Sequence, residues 1–482
     1  MNRRELLGAG AAAWSGAWWR LPAASARSLP APLGELARAL SGPVVARGAA
    51  GYDKARLLFN TRFDAAKPLA VAFCQGPLDV QKTIGWARKH GVRLATRTGG
   101  HSYGGYSTTP GVILDVTRMH AIHASGSTAS VGAGARLIDV YTALSQHGRS
   151  IPGGSCATVG VSGLALGGGH GFLSRKWGTA SDNVAEVELV TADGKRRVCN
   201  AHENTDLYWA CRGGGGGNFG VVTRWTFRTH PVAGVATFRV EWPWAQAATG
   251  FAAWQSFAPH APDELFSVFS FSHAAGSTPR VTAVGQLLGT KERLSSLIAP
   301  LANAGTPTAV GVVSRTYLDS VHFWAGCSDL DSCHSPVRPA FAAKSDYARK
   351  PLTKAAIATI THAIATAPTR GILLLDSYGG AINRIPKPAT AFVHRDMLFS
   401  FQYLAYWDTP SQAVANVAWL RKFHDAMRPY VSGEAYVNYA DPGLENWPQA
   451  YFASNLPRLV AIKKKYDPAR FFRYAQGLPI HL

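Results

Sequence analysis

Apolar positions along the chain switch between a spacing of two and a spacing of about 3.6 residues, and the switches predict alternating strands and helices. Leu69–Cys74 is a short apolar run of strand type. Val80, Ile84 and Ala87 then recur at helical spacing, Gly91 ends that helix, and Arg93–Arg97 begins another strand. This strand runs straight into Thr98-Gly99-Gly100-His101-Ser102-Tyr103-Gly104-Gly105-Tyr106. A second unit has strands at Ile113–Val116 and Ala129–Val131, then a helix carrying Leu137, Val140, Tyr141 and Leu144. Val184 to Val190 alternates, Asp193-Gly194 makes a hairpin turn, and Lys195–Cys199 returns. After Pro231 the glycine loops stop. The segment from 236 to 430 mixes strands with alanine-rich helical stretches such as Lys354–Ala367, and reads as a second domain.

With 482 residues, 47% of them apolar or aromatic and 16% charged, the chain is globular and long enough for two or three domains. A net charge of +20 speaks to solubility and to anionic polymers or membrane surfaces, not to fold. The densest basic runs, Lys195–Arg197 and Lys463–Lys465, hold three residues each, so no nucleic-acid partner is expected. At the N-terminus Arg3-Arg4 precedes an apolar stretch, Leu6–Trp19, and the small residues Ala24-Ser25-Ala26. Residues 1–26 therefore read as a secretory signal similar to the twin-arginine type. Fourteen apolar residues are too few to span a bilayer, so an exported, periplasmic or extracellular protein with no stable membrane span is expected. Six cysteines contain no Cys-x-x-Cys pair, which argues against a structural zinc site. Cys327 and Cys333 are disulfide candidates in an exported protein, and Cys74, Cys199 and Cys211 read as buried thiols.

Strand-following glycine loops let a backbone approach a ligand and form anion-binding nests, the signature of a large phosphate-bearing cofactor. Gly215-Gly216-Gly217-Asn218-Phe219-Gly220 fits the dinucleotide spacing, but Val221–Phe227 after it is a strand and not a helix. A nicotinamide-type Rossmann site is thereby disfavoured. Two further loops, Pro152-Gly153-Gly154-Ser155-Cys156 and Gly167-Gly168-Gly169-His170-Gly171, complete the glycine-rich half.

The motifs Arg97–Tyr103, Cys156–Gly163, Gly213–Thr223, Tyr436-Val437-Asn438-Tyr439 and Tyr466-Asp467-Pro468 resemble, in this order, the berberine-bridge-enzyme-like branch of the vanillyl-alcohol-oxidase flavoproteins. The resemblance covers 55–235, 371–407 and 430–480. It implies an α+β fold: a PCMH-type FAD-binding domain of two subdomains over 55–235, and a substrate domain over 236–430 with an antiparallel sheet covered by helices. A C-terminal segment, 431–482, returns to the FAD domain. It also implies bicovalent FAD, with His101 on the 8α-methyl and Cys156 on carbon 6 of the ring. Arg97, Thr98, Gly99, Gly100, Ser102, Tyr103, Gly160, Val161, Gly163, Val222 and Asn438 are the other implied flavin-binding residues, and no metal is implied.

By the same resemblance Tyr436 is the catalytic base, and Gln402 supports substrate or flavin. Two positions depart from the relatives: His170 stands where a tyrosine is common, and Ser400 where plant relatives carry a lysine. His170 is a candidate for a hydrogen-bonding role. Valine at 159 goes with oxidases in relatives, because a small side chain leaves room for O2. The expected activity is therefore FAD-dependent oxidation of a small-molecule alcohol or carbohydrate, with O2 as acceptor. A dehydrogenase using another acceptor, and a flavin-retaining carbohydrate-binding protein without turnover, are the alternatives. Trp242, Trp244, Trp254, Trp324, Tyr378, Tyr403 and Trp407 are the aromatics that could stack on a substrate.

Overall fold

The structure is a computed structural model that describes residues 31–482; the expected signal, 1–26, lies outside the described residues. Among these residues the strands group into three main sheets. The first has the order Val44–Ala46, Ala70–Phe73, Val112–Asp115, Leu94–Arg97, antiparallel in its first pair and parallel thereafter. The parallel part is the strand–helix–strand unit read from the apolar spacing. Its helix, Pro77–Lys89, starts with proline in the first turn and buries Val80, Ile84 and Ala87. Helix Ala31–Ala39 and strand Val44–Ala46 join the same layer upstream of residue 55. A strand of three residues carries too little alternation to register as a pattern.

The second sheet is antiparallel, in the order Ile122–Ser125, Thr128–Gly132, Gly220–Arg228, Val184–Thr191, Arg196–Asn200. The strand Gly220–Arg228 follows directly on the 215–220 loop, so no Rossmann helix begins there. A seven-stranded antiparallel sheet dominates the second half: Ala309–Arg315, Val235–Trp242, Arg280–Leu288, Leu265–Ala274, Arg370–Ser377, Phe399–Trp407, Ala340–Ala348. Helices Ala247–Phe257, Lys354–Ala365 and Ala413–Met427 cover one face, over a core that includes Phe251, Trp254, Phe269, Phe271, Phe401 and Phe423. Because side chains alternate along a strand, Phe266, Val268, Leu374, Asp376 and Gln402 fall on the opposite face, where they line a cavity shared with the smaller sheets.

One stretch inside 236–430 leaves the large sheet. Phe392 N donates to Arg212 O at 3.1 Å, so residues near 390 pack on the glycine loop. Cys327 and Cys333 form a disulfide, and Cys74, Cys199 and Cys211 are buried. No described helix is long and apolar enough to cross a membrane, and no described cluster of His, Cys, Asp or Glu could hold a metal.

Candidate active site

Segments distant in sequence meet around one cavity of about 960 Å³. The loop after strand Leu94–Arg97 forms one wall. A Cβ on Gly99 would lie 2.4 Å from Gly160 N and 2.5 Å from Thr158 O, so this contact between two loops requires glycine. His101 follows, with Nε2 2.8 Å from Thr158 Oγ1 and its ring stacked on Phe59 at 4.0 Å. Thr98, Gly100, Ser102 and Tyr103 also line the cavity. Arg97 borders it but commits its guanidinium to Asp115 and to Ala55 O (2.7 Å).

The loop 154–171 supplies Cys156, Val159, Gly160, Gly163 and His170. Cys156 is half-buried at the cavity wall, unlike the three cysteines in the core. A Cβ on Gly163 would meet nothing nearer than Thr98 Oγ1 at 3.8 Å, and one on Gly216 nothing nearer than Leu166 at 3.9 Å. Side chains there would occupy the cavity itself. Val161 is the one proposed flavin contact that does not line it: fully buried, it starts helix Val161–Leu166 and packs in the core.

The C-terminal segment closes the site. The Tyr436 hydroxyl accepts from Gly169 N at 2.7 Å and from Asn438 Nδ2 at 2.8 Å, while Asn438 Nδ2 also donates to Leu164 O at 2.9 Å. Burial pushes the Tyr436 phenol above its ordinary value, the two donors pull it back, and the Asp376 carboxylate adds to the rise. His170 is also buried, with Nε2 lacking any hydrogen-bond partner among the described residues, and its ring is 5.0 Å from that of Tyr436. Burial lowers its pKa from the usual value and Asp376 opposes this, so the ring is neutral at pH 7. From the large sheet, Gln402 Nε2 donates to Tyr103 OH at 2.6 Å, and Tyr103 stacks on Tyr439 at 5.3 Å. Ser400, two residues before Gln402 and directly opposite Asp376 in the sheet, donates to Asp376 Oδ2 at 3.5 Å. Val222 lines the cavity from the second sheet.

Asp376 and Tyr439 also line the cavity, and the set Arg93, Arg470, Arg473 and Tyr474 was given no binding role from sequence. Arg470 sits in the left-handed region (φ 50) just after the Tyr466-Asp467-Pro468 turn, and Tyr474 OH donates to Gly216 O at 2.9 Å. The turn itself is pinned by Lys463, fully buried, whose Nζ reaches Asp467 Oδ2 (2.6 Å), Asn218 O (2.6 Å) and Phe472 O (2.8 Å). One lysine thus ties the glycine loop to the C-terminal segment.

Family models match at two places: an FAD binding domain over residues 68–200, and the "berberine and berberine like" segment over 435–479. An uncharacterized FAD-linked oxidoreductase of Bacillus subtilis, YgaK, is 34% identical over 91% of this chain and 97% of its own length. The chain belongs to the berberine-bridge-enzyme-like FAD-linked oxidoreductases. The solved structure of Physcomitrella patens BBE-like 1 superposes with a TM-score of 0.88, at 33% identity, over 94% of this chain and 99% of that one. Phl p 4, a grass pollen allergen with glucose dehydrogenase activity, does so at 0.84 and 31%, over 94% and 100%. The FAD-binding match contains His101 and Cys156, and the berberine-like match contains Tyr436, Asn438, Arg470 and Arg473. The family's α+β architecture, a flavin half and a half built on an antiparallel sheet, is the one described above.

Proposed function

We propose that this chain is an oxidase of hydroxyl groups on alcohols or sugars, with FAD held by two covalent bonds. The observation that carries the proposal is the Tyr436 hydroxyl, clamped by two N–H donors inside a cavity that also presents an imidazole and a thiol. The cavity fits the cofactor on three counts. Gly99 and Gly160 bring two loop backbones together, and Gly163 and Gly216 keep the volume clear of side chains. His101 and Cys156 are nucleophiles of the right types to hold a flavin, and Arg93, Arg470 and Arg473 offer cations for phosphates. Bound there, FAD would supply the acceptor for a hydride from the substrate carbon and a route for the electrons to O2 as H2O2.

Tyr436 takes the substrate's hydroxyl proton, and the N–H of Gly169 and the amide of Asn438 stabilise the phenolate that must exist to do so. Gln402 and Tyr103 fix one another and hold a polar edge toward the substrate. His170, neutral and with Nε2 unpartnered among the described residues, is placed to hydrogen bond a second hydroxyl. Ser400 carries no ammonium group, and no lysine is among the described residues that line the cavity.

The oxidase reading draws on Val159, a small side chain at the cavity wall. A variant of Phl p 4 carrying isoleucine-to-valine and asparagine-to-histidine exchanges is a glucose oxidase, whereas the asparagine-to-histidine variant alone is a glucose dehydrogenase. The experiment is anaerobic mixing of purified holoenzyme with simple alcohols and sugars, followed by air. Bleaching of the flavin and rapid recovery with stoichiometric H2O2 is the expected result. Bleaching with recovery only on adding a quinone would assign a dehydrogenase, and no bleaching by any hydroxyl compound would refute the enzyme. Acid-denatured protein should retain the mass of one FAD.

A further inference from the structure

Among the described residues, Trp324 is the only tryptophan that lines the cavity. Its ring stacks on Phe172 (4.2 Å between centroids, 16° between planes), and its indole N–H donates to buried Gln286 Oε1 at 2.9 Å. Phe266 meets Phe172 edge-on at 5.5 Å. Val268 and Val284, directly opposite one another on neighbouring strands, extend this apolar wall, and Asp376 is the next residue across the sheet from Val268. The wall therefore adjoins the polar group of Asp376, Gln402 and Tyr436, as a site would for a substrate whose reacting hydroxyl and non-reacting body differ in polarity.

Trp324 does not belong to the sheet. It sits near the end of helix Tyr317–Ala325, and that helix is fastened at both ends to the flavin half. At its start Tyr317 OH lies 2.7 Å from Ser150 Oγ, and the Tyr317 ring meets Tyr141 edge-on at 6.4 Å. At its end the chain turns at Gly326 (φ 73) into the loop closed by Cys327–Cys333. Immediately after the bridge His334 Nε2 is 2.6 Å from Asp139 Oδ1, and Arg136 Nη1 donates to His334 O at 3.4 Å. Without the bridge, the helix end that carries Trp324 would be joined to this anchor only through an open loop.

We propose that Trp324 is the platform for the non-reacting part of the substrate, and that the disulfide strap positions it. The substrate then carries a flat ring beyond its reacting carbon, an arene or the C–H face of a pyranose, since an aromatic face attracts both. This deepens the hydroxyl-oxidation reading and rests on it.

The test uses the oxidised holoenzyme and carbonyl products, which bind without turnover: cinnamaldehyde for the arene class, cellobionolactone for the pyranose class and propanal as a ringless control. Binding is read as perturbation of the flavin spectrum. One ring compound is expected to bind the wild type and to lose about tenfold in affinity in Trp324→Ala, with most of it restored in Trp324→Phe. Cys327→Ser with Cys333→Ser should weaken the same compound while leaving propanal unchanged. Unaltered affinity in Trp324→Ala, or binding of neither ring compound by the wild type, overturns the platform; unaltered affinity in the cysteine double variant overturns the strap. Bleaching of the flavin by a ringless alcohol reads the oxidation itself, so its failure would strike the functional reading separately.

Discussion

Tyr436→Phe removes one oxygen, and its consequences can be worked from the contacts of that oxygen. The hydroxyl accepts from Gly169 N, which is buried, and from Asn438 Nδ2, which is half-buried. Leaving a buried donor unpaired costs about 1–3 kcal/mol. Asn438 keeps its bond to Leu164 O, so its share falls at the low end, and a total of about 2–4 kcal/mol is expected as a lower unfolding midpoint. The chemical effect is separate: loss of a positioned proton acceptor slows flavin reduction by about 10²–10⁴-fold. The pH profile distinguishes base from buttress. Burial raises the phenol's pKa above its usual value near 10, so at neutral pH most molecules hold the proton. The phenolate fraction then grows about tenfold per pH unit, and the wild-type reduction rate should climb with it through pH 7–9. Anaerobic stopped-flow reduction, followed by loss of flavin absorbance, gives both numbers. A Phe variant that reduces at the wild-type rate, or that keeps the same pH slope at a lower rate, would refute Tyr436 as base.

The remaining predictions concern its surroundings. His101→Ala and Cys156→Ala should each keep FAD on the acid-denatured chain through the other link and the double variant should release it; release from either single variant contradicts two attachments. Lys463→Met leaves the buried Asp467 carboxylate without its cation, held by Phe471 N and Phe472 N, and unties Asn218, which should cost about 3–5 kcal/mol of stability in thermal unfolding and lower flavin loading. His230, stacked on Trp177 and bonded to Asn183, has its pKa lowered by burial to about 4. Because the unfolded chain binds this proton at about 6.5, stability is expected to decline as pH falls from there toward 4, and His230→Gln should flatten that decline. Asp376→Asn removes a negative charge that strengthens Tyr436's hold on its proton, so the rate profile should shift toward lower pH. Collapse of reduction at every pH would instead make the carboxylate the proton acceptor.

Much of the flavin half is legible in the sequence because its strands and helices are long enough to show their periods. Val80, Ile84 and Ala87 announce the helix Pro77–Lys89, and Asp193-Gly194 announces a hairpin. Helix Ala31–Ala39 and strand Val44–Ala46, upstream of residue 55, are short and lie between low-contrast stretches. The large sheet is harder to see. Its strand Phe399–Trp407 is buried on both faces: Ser400 and Gln402 alternate with Phe399, Phe401 and Tyr403, but from Tyr403 on the strand is an apolar run that no longer tells one face from the other.

The site divides along the same physical line. Where two backbones pack so closely that a Cβ would come within 2.5 Å of the neighbouring chain, as at Gly99 and Gly160, glycine is obligatory and the motif stands out. His101 and Cys156, which line the same cavity, are readable with it. Val161 shows the limit of that logic, because a residue inside a motif can serve the core while its neighbours serve the cavity. The substrate wall is assembled differently. Phe266, Val284, Leu374 and Asp376 come from three strands, and only the register of Val284 with Val268 and of Val268 with Asp376 makes them neighbours. Among seven aromatic candidates in that half, Trp324 was no more conspicuous than Trp242 or Trp254, which turn out to be core. What separates Trp324 is its place on a helix tied to the flavin half by Tyr317 and, through the disulfide loop, by His334. Such ties are tertiary: they relate residues 150 and 317, or 139 and 334, and no local period encodes them.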